Sequence, residues 1–322
     1  MNRVDRRFAC MGGQARIRLE SDSLPDAVLD EHVRSLRAFF EEFDASMSRF
    51  RADSELSILN RDPRERVPAS PLLRELVGAA RFAGQRSRGL VDATLLDDLE
   101  TQGYRRSRTG LKPAPLTDAL AAAPPRRRAR PRKDSALATL DLDHSGNVTR
   151  PPGVRLDSGG IGKGMAADMA SARLPRRVRF AISCGGDLAI GAPADHPFEI
   201  AVLDARTGAE AHRLTVSSGG VATSGIDNRL WRRPDGSYAH HLLDPATGEP
   251  AWTGLTSVTA LATSALEAEV LAKTALLSGP NAARRLLAGR GGVMQHDGGE
   301  IEVVPVYRPV IRLPRPPERV AA

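Results

Sequence analysis

The chain has 322 residues, 41% of them hydrophobic, and a formal net charge of +7 at pH 7. This length and apolar content predict a globular protein with a sizeable core, in one large domain or two. The two cysteines, Cys10 and Cys184, have no CxxC or Cys/His spacing, which argues against a disulfide framework or a zinc site. No apolar run reaches the ~18 residues of a membrane span or has the form of a signal peptide. We therefore expect a cytoplasmic protein without a membrane span.

The positive charge is concentrated between residues 105 and 133, where ten Lys or Arg residues stand against one acid, Asp118. This stretch is also rich in Pro and Ala, a composition typical of a solvated or disordered loop that chemistry does not need. Aromatic residues make up 4% of the chain and leave few platforms for stacking bases. We expect no nucleic-acid partner.

In the first half, alternating apolar residues predict a strand over 14–20. A helix follows, because the apolar residues from Leu29 to Phe43 step by four and three. A polar loop with a short helix over 46–60 and a helix over 72–83 complete this half.

In the second half we predict a strand over 154–156 and a helix that includes Met165 and Met169. Patterns of alternating or β-branched residues then predict a series of strands at 178–183, 198–204, 212–217 and 256–263. Two helices at 264–278 and 281–288 precede an extended, Pro- and Arg-rich tail from Pro305. Mixed strands with inserted helices favour an α+β fold with mixed or antiparallel sheets.

The stretch LDSGGIGKGMAAD, residues 156 to 168, is the most informative local motif. Its glycines let the backbone approach a ligand closely, and the turn leads into a helix N-terminus, which favours phosphate oxygens. Lys163 adds a mobile ammonium. The residue after Gly-Lys is Gly164, so the stretch is not a P-loop, and it does not satisfy GxGxxG either.

Two later motifs carry polar side chains between turns. Thr223 and Ser224 offer hydroxyls between glycines, without the GxSxG spacing of a hydrolase. In YAHHLLDPATG, His241 lies three residues before Asp244, and either group is a candidate for acid-base chemistry.

The helix over 264–278 carries Glu269 and Lys273 on one face among Leu and Ala residues, because residues four apart are neighbours on a helix. The chain has 46 basic residues, and only four are lysines: Lys112, Lys133, Lys163 and Lys273. Because this chain uses Arg for most of its positive charges, a Lys indicates a site that needs a compact ammonium and not a planar guanidinium. An ordinary surface ion pair is the alternative.

Taken in order, these motifs resemble the FAD:protein FMN transferases, the ApbE-like flavin transferases. The similar segments are FACMGGQARIRL, SMSRFRADSELSILN, LVDATLLDDL, LDSGGIGKGMAAD, CGGD, ATSG, HLLDPATG and AEVLAKTALLSG. The resemblance implies a two-lobed architecture that binds FAD between the lobes. It also implies a magnesium-assisted attack by a Ser or Thr hydroxyl of a target protein on the FAD pyrophosphate, which leaves FMN on the target through a phosphoester and releases AMP.

The same resemblance implies roles for individual residues. The implied FAD contacts are Met11, Phe50, Val91, Asp92, Thr94, Gly159, Gly160, Lys163, Thr223 and Ser224. The implied catalytic residues are His241, Asp244, Lys163 and Lys273. The implied metal position consists of the Gly162 carbonyl, Glu269 and residue 273.

The segments divide the chain into an N-terminal part of the transferase domain (1–104), the basic insert (105–135), a C-terminal part (136–304) and the tail (305–322). Two other functions stay open, an FAD pyrophosphatase that uses water and a noncatalytic flavin carrier.

At the metal position the family has Asp and, four residues on, Thr, whereas this chain has Glu269 and Lys273. A protonated lysine cannot ligate Mg²⁺. The alternatives are a displaced ion, a neutral lysine, or an ammonium that replaces the ion, and we favour the last.

Overall fold

The computed structural model describes residues 1–193 and 195–305. The predicted tail beyond Pro305 lies outside the described residues. The α-helices are α1 (Asp26–Met47), α2 (Glu55–Arg61), α3 (Pro71–Ser87), α4 (Leu96–Thr101), α5 (Leu116–Ala121), α6 (Gly162–Ser171), α7 (Ala265–Ser278) and α8 (Pro280–Leu287), with a 3-10 helix at Ala136–Thr139. Within the described ranges, no helix has both the length and the apolar character needed to cross a membrane.

The first strands in chain order are β1 (Asn2–Cys10), β2 (Gly13–Ser21), β3 (Arg66–Pro68), β4 (Asp141–Leu142), β5 (Asn147–Thr149), β6 (Arg179–Cys184), β7 (Asp187–Gly191), β8 (Phe198–Leu203) and β9 (Glu210–Val216). The later strands are β10 (Ser218–Gly225), β11 (Leu230–Arg232), β12 (Tyr238–His240), β13 (Leu243–Asp244), β14 (Glu249–Pro250), β15 (Leu255–Ala262), β16 (Gly292–His296) and β17 (Ile301–Val304).

An eight-stranded antiparallel sheet organises the fold, in the order β1-β2-β6-β7-β10-β15-β16-β17. Its first hairpin turns at Met11 and Gly12, whose φ angles are 47° and 71°. Two positive φ values in a two-residue loop are typical of a type I′ turn, which matches the twist of the strands. The predicted α+β class with antiparallel sheets is confirmed.

Helices α1, α6 and α7 pack against this sheet, and α6 also packs against α1 and α7. The apolar positions of α1 are buried at the spacing that the sequence predicts, from Leu29 through Phe43 to Met47. Helix α7 is buried along most of its length, and the Ser264 side chain caps it by accepting a hydrogen bond from the Glu267 amide. A helix that is apolar on most faces belongs in a core, so α7 brings its charged residues into the interior.

The predicted strand at 154–156 is wrong, because this segment pairs with no strand. Its backbone is bound by one side chain instead. Asn60 donates to the Leu156 carbonyl and accepts from the Leu156 amide, both at 2.8 Å. An amide side chain thus supplies the two hydrogen bonds that a strand neighbour would supply.

Most residues between 105 and 133 are exposed, as the prediction of a solvated loop requires, but the segment is not a loop throughout. The segment contains α5, and its Ala119 and Ala129 are buried in a cluster with apolar residues of α7 and β15. The Ala129 amide donates to the Leu277 carbonyl at 2.8 Å. Small apolar residues between the arginines therefore fix this segment, which we call the basic arm, onto the core.

Candidate active site

A cavity of about 860 Å³ lies between the two largest hydrophobic clusters and is lined by residues of both. Small-molecule sites commonly have volumes of roughly 300 to 1,000 Å³. The cavity is at the upper end of this range, so it has room for a large ligand. Its walls come from the β1–β2 turn, the loop before α6, the end of β10, the segment after β12, and helix α7.

Most residues that the sequence assigns to a site line this one cavity. They are Met11, Phe50, Val91, Asp92, Gly159, Gly160, Lys163, Thr223, Ser224, His241, Glu269 and Lys273.

Three of the assigned residues do not line it. Thr94 donates its amide and hydroxyl to Asp92 Oδ1 and so supports a residue that does. Gly162 begins α6, with its amide on the Ser158 carbonyl at 2.7 Å. Asp244 is buried elsewhere, and its Oδ1 accepts from the Arg130 and Ala246 amides. The structure therefore does not bring Asp244 to the cavity.

Helix α6 approaches α7 closely at Gly164. A Cβ placed on Gly164 would lie 2.6 Å from the Ala265 carbonyl oxygen and 2.8 Å from Leu266 Cα, so only glycine fits without movement. The Gly164 amide donates to Glu269 Oε2 at 2.9 Å. The close approach thus supplies a hydrogen bond to a buried carboxylate that needs one.

Four charged side chains meet on the cavity wall beside this contact. Lys163 Nζ donates to Asp187 Oδ2 at 2.7 Å and lies 3.9 Å from Glu269 Oε1. Lys273 Nζ donates to the Gly160 carbonyl at 2.5 Å and lies 3.6 Å from the same Glu269 oxygen. Among the described residues, this oxygen accepts no hydrogen bond. The four side chains, which we call the charge cluster, carry two positive and two negative charges.

Burial and partner charges compete in the charge cluster. Burial acts to lower the pKa of Lys163, but the charges of Asp187 and Glu269 outweigh it and raise the pKa above its usual value. Burial raises the pKa of Asp187, against the charge of Lys163. For Lys273, burial lowers the pKa, and the charge of Glu269 partly offsets this effect. The 2.7 Å contact and its charge complementarity indicate an ionised Lys163–Asp187 pair at neutral pH.

Stacked planar groups line another part of the cavity. The guanidinium of Arg49 lies 4.1 Å from the ring centre of Phe50 and 4.6 Å from that of Tyr104. Tyr104 in turn lies 5.6 Å from Trp231. Arg49 also pairs with Asp157 at 2.8 Å, directly before the glycine-rich turn. Sequence reasoning missed Arg49 and Tyr104, because no local pattern connects residues so far apart along the chain.

The basic arm forms part of the cavity wall. Its residues 107–111 and Pro113 line the cavity, and Arg108 lies 4.8 Å from the ring centre of Trp231. The arm therefore contributes to the cavity wall, and the expectation that chemistry does not need it stays a prediction.

His241 is the imidazole that faces the cavity. Burial and then the charge of Arg229 hold its pKa well below the usual range, so the ring is neutral at pH 7. Within the described part of the chain, its Nδ1 has no hydrogen-bond partner. A neutral imidazole can accept a proton.

The chain resembles known proteins in sequence and in structure. The model of the ApbE family matches residues 11–295, a range that includes most of the residues that line the cavity. The chain belongs to the ApbE family. This confirms the family that the sequence motifs resemble.

Relatives of similar length carry one name. A protein of Klebsiella pneumoniae (strain 342) named FAD:protein FMN transferase is 26% identical over 80% of this chain and 73% of its own. A Treponema pallidum protein with the same name is 26% identical over 88% of this chain and 81% of its own. The crystal structure of the ApbE protein of Thermotoga maritima MSB8 has a TM-score of 0.77 and 26% identity, and the match covers 94% of this chain and 97% of that one.

The magnesium site that the family resemblance implies does not fit the residues present. One Glu269 oxygen accepts from the Gly164 amide, and the other faces two ammonium groups. The carbonyl beside the charge cluster is that of Gly160, and it already accepts a hydrogen bond from the Lys273 ammonium. Residues 1–193 and 195–305 also contain no group of three or more His, Cys, Asp or Glu placed to hold an ion. Mg²⁺ requires several oxygen ligands at octahedral positions, and this donor set does not offer them.

Proposed function

We propose that this chain is an FAD:protein FMN transferase, which moves FMN from FAD to a Ser or Thr hydroxyl of a target protein and releases AMP. The observation that carries the proposal is the position of the charge cluster. It lies on the wall of a dinucleotide-sized cavity, beside a glycine-rich turn and close to a stack of aromatic rings. The charge cluster and the glycine-rich turn suit the recognition of phosphate, and the aromatic rings suit the recognition of flat ring systems.

In this proposal FAD lies across the cavity. Gly159 and Gly160 allow the backbone to approach the pyrophosphate, and Lys163 faces its oxygens. The ring systems take the apolar walls beside Met11 and Val91. The two hydroxyls of Thr223 and Ser224, the Asp92 carboxylate and the Phe50 ring complete the FAD contacts.

At phosphorus, the transfer forms one bond and breaks one bond, and a proton moves from the attacking hydroxyl to a base. The hydroxyl oxygen of the target attacks the phosphorus on the FMN side of the pyrophosphate. The bond from that phosphorus to the bridging oxygen breaks, and its electron pair leaves with AMP. The hydroxyl proton passes to the neutral imidazole of His241. Lys163 opposes the negative charge that develops on the phosphate oxygens.

Incubation of the purified protein with FAD and a candidate acceptor domain tests the proposal. AMP is measured by chromatography, and covalent flavin by fluorescence of the denatured acceptor. A transferase gives AMP and fluorescent acceptor in equal amounts. AMP with free FMN would indicate a pyrophosphatase, and neither product would indicate a flavin carrier.

A matched pair of variants tests the role of His241. We expect His241→Asn to lower the rate of FMN transfer by about 100-fold or more, in the range of general-base catalysis. Asp244→Asn serves as the comparison, because Asp244 does not line the cavity. Its effect on folding is monitored by thermal unfolding. Equal loss of turnover per folded molecule in both variants would contradict the assignment of His241.

A further inference from the structure

Lys273 places a positive charge at a fixed position on the cavity wall. It projects from α7 one turn after Glu269, and its side chain is only 11% exposed. An ammonium has three N–H donors. One of them binds the Gly160 carbonyl, and a second lies near Glu269. The third remains for a group that enters the cavity, which Lys273 lines.

The balance of charge in the cluster supports a lysine that stays charged. Lys163 and Lys273 neutralise Asp187 and Glu269, so the cluster has no excess negative charge that would attract a divalent ion. A divalent ion beside Glu269 would lie close to both ammonium groups and would be repelled by them. A pyrophosphate that enters the cavity instead meets the N–H donors of Lys163 and Lys273, which both line the wall, although the cluster as a whole is neutral.

The choice of lysine over arginine agrees with this geometry. Only four of the 46 basic residues are lysines, and two of the four belong to the charge cluster. The Lys273 ammonium, a compact point charge, lies 2.5 Å from the Gly160 carbonyl and 3.6 Å from Glu269 Oε1, whereas a guanidinium presents a broad planar fork.

We propose that the Lys273 ammonium occupies the position of the divalent cation and contacts the FAD pyrophosphate, so that this chain transfers FMN without a metal ion. The inference rests on the proposed transferase function. In it, Lys273 lies between Glu269 and the pyrophosphate and stabilises the charge that AMP carries as it leaves.

The first test measures the rate of FMN transfer with excess FAD, once in EDTA and once in added MgCl₂. We expect the wild-type rate to agree within about twofold under the two conditions. Lys273→Met keeps the chain length and removes the charge, and should slow transfer by about 100-fold or more in both. Lys273→Thr should be active only with magnesium. Arg285→Met, at an exposed arginine of α8 that does not line the cavity, is the matched control and should behave as wild type.

Binding of Mn²⁺, followed by electron paramagnetic resonance with FAD present, is the second test and does not depend on turnover. We expect no stoichiometric ion in the wild-type complex and one ion per chain in Lys273→Thr. Thermal unfolding shows whether each variant is folded.

Loss of wild-type transfer in EDTA with recovery in magnesium would overturn the inference. One Mn²⁺ per wild-type chain would overturn it equally. If no condition yields AMP or covalent flavin, the transferase proposal fails instead, and Mn²⁺ binding still decides whether Lys273 takes the place of the ion.

Discussion

Substitution of Gly164 by alanine tests whether the contact between α6 and α7 positions the charge cluster. The new Cβ would lie 2.6 Å from the Ala265 carbonyl oxygen, where ordinary contacts begin at 3.4 Å. The two helices must therefore separate by about 0.8 Å at this point, since interiors are close-packed. The three nearest atoms, Ala265 O, Ala265 C and Leu266 Cα, all belong to the backbone, so a side-chain rotation cannot relieve the overlap.

The expected loss of stability combines two effects. Overpacking of a rigid contact costs about 1 to 3 kcal/mol. Separation of the helices also stretches the hydrogen bond from the Gly164 amide to Glu269, which is 2.9 Å long and buried. A hydrogen bond to a charged group contributes about 1.5 to 3 kcal/mol. We expect Gly164→Ala to lower the free energy of unfolding by about 2 to 5 kcal/mol, less than the full sum if the bond only weakens.

Gly78→Ala provides a matched control within the same chain. Gly78 lies in α3, and a Cβ there would meet no atom within 4 Å. Alanine in a helix interior is better than glycine by roughly 0.5 to 1 kcal/mol. The control should therefore stabilise the protein.

Urea denaturation measures both variants, and flavin fluorescence measures their affinity for FAD. Gly164→Ala should weaken FAD binding as well as folding, because Glu269 and Lys273 move with α7. If Gly164→Ala unfolds at the wild-type urea concentration and binds FAD normally, α6 and α7 do not have the close contact described here.

Four other predictions concern pH, the buried ion pair, the aromatic stack and the basic arm. Burial lowers the pKa of His240 to about 3. As the pH falls below about 6.5, His240 therefore takes up a proton in the unfolded chain but not in the folded chain, and the free energy of unfolding decreases. Between pH 7 and 5, His240→Asn should lose about 2 kcal/mol less than wild type in urea titrations. Lys163→Met leaves Asp187 buried without a partner and should destabilise the fold by about 3 to 5 kcal/mol, whereas adding Asp187→Asn should recover at least half of the loss by the same measurement. Tyr104→Ala should weaken FAD binding, measured by fluorescence titration, by about 1 to 3 kcal/mol, and Tyr104→Phe should not, because only the ring stacks. Deletion of 105–133 should lower both the affinity for FAD and the unfolding temperature, and an unchanged protein would mean that the arm is not part of the site.

Local patterns in the sequence predicted the parts of the site that depend on local geometry. Helix α7 is an example. The capping by Ser264 and the shared face of Glu269 and Lys273 follow from helical spacing alone, and the structure has both. The glycine-rich turn is another example, because its glycines and Lys163 lie within a few residues of each other.

Long-range contacts account for what the sequence did not reveal. Asp187 neutralises Lys163 from another element, and the spacing of residues along the chain gives no sign of this pairing. The composition of the basic arm predicts its exposed surface but not its attachment to the core. The small buried residues Ala119 and Ala129 and the backbone bond to Leu277 determine its position instead, and composition does not encode these contacts.

The position of β2 in the central sheet has a consequence for how the protein folds. Strand β2 pairs with β6, where Ala15 lies opposite Cys184, so most of the first half of the chain forms the loop between them. Contacts of such long separation in sequence slow folding, because the entropy of closing the loop opposes them. During synthesis the N-terminal hairpin must wait for β6 to emerge from the ribosome, and the cavity must wait longer, until α7 follows. A fragment that ends before α7 lacks the cavity wall that Glu269, Lys273 and Leu277 supply.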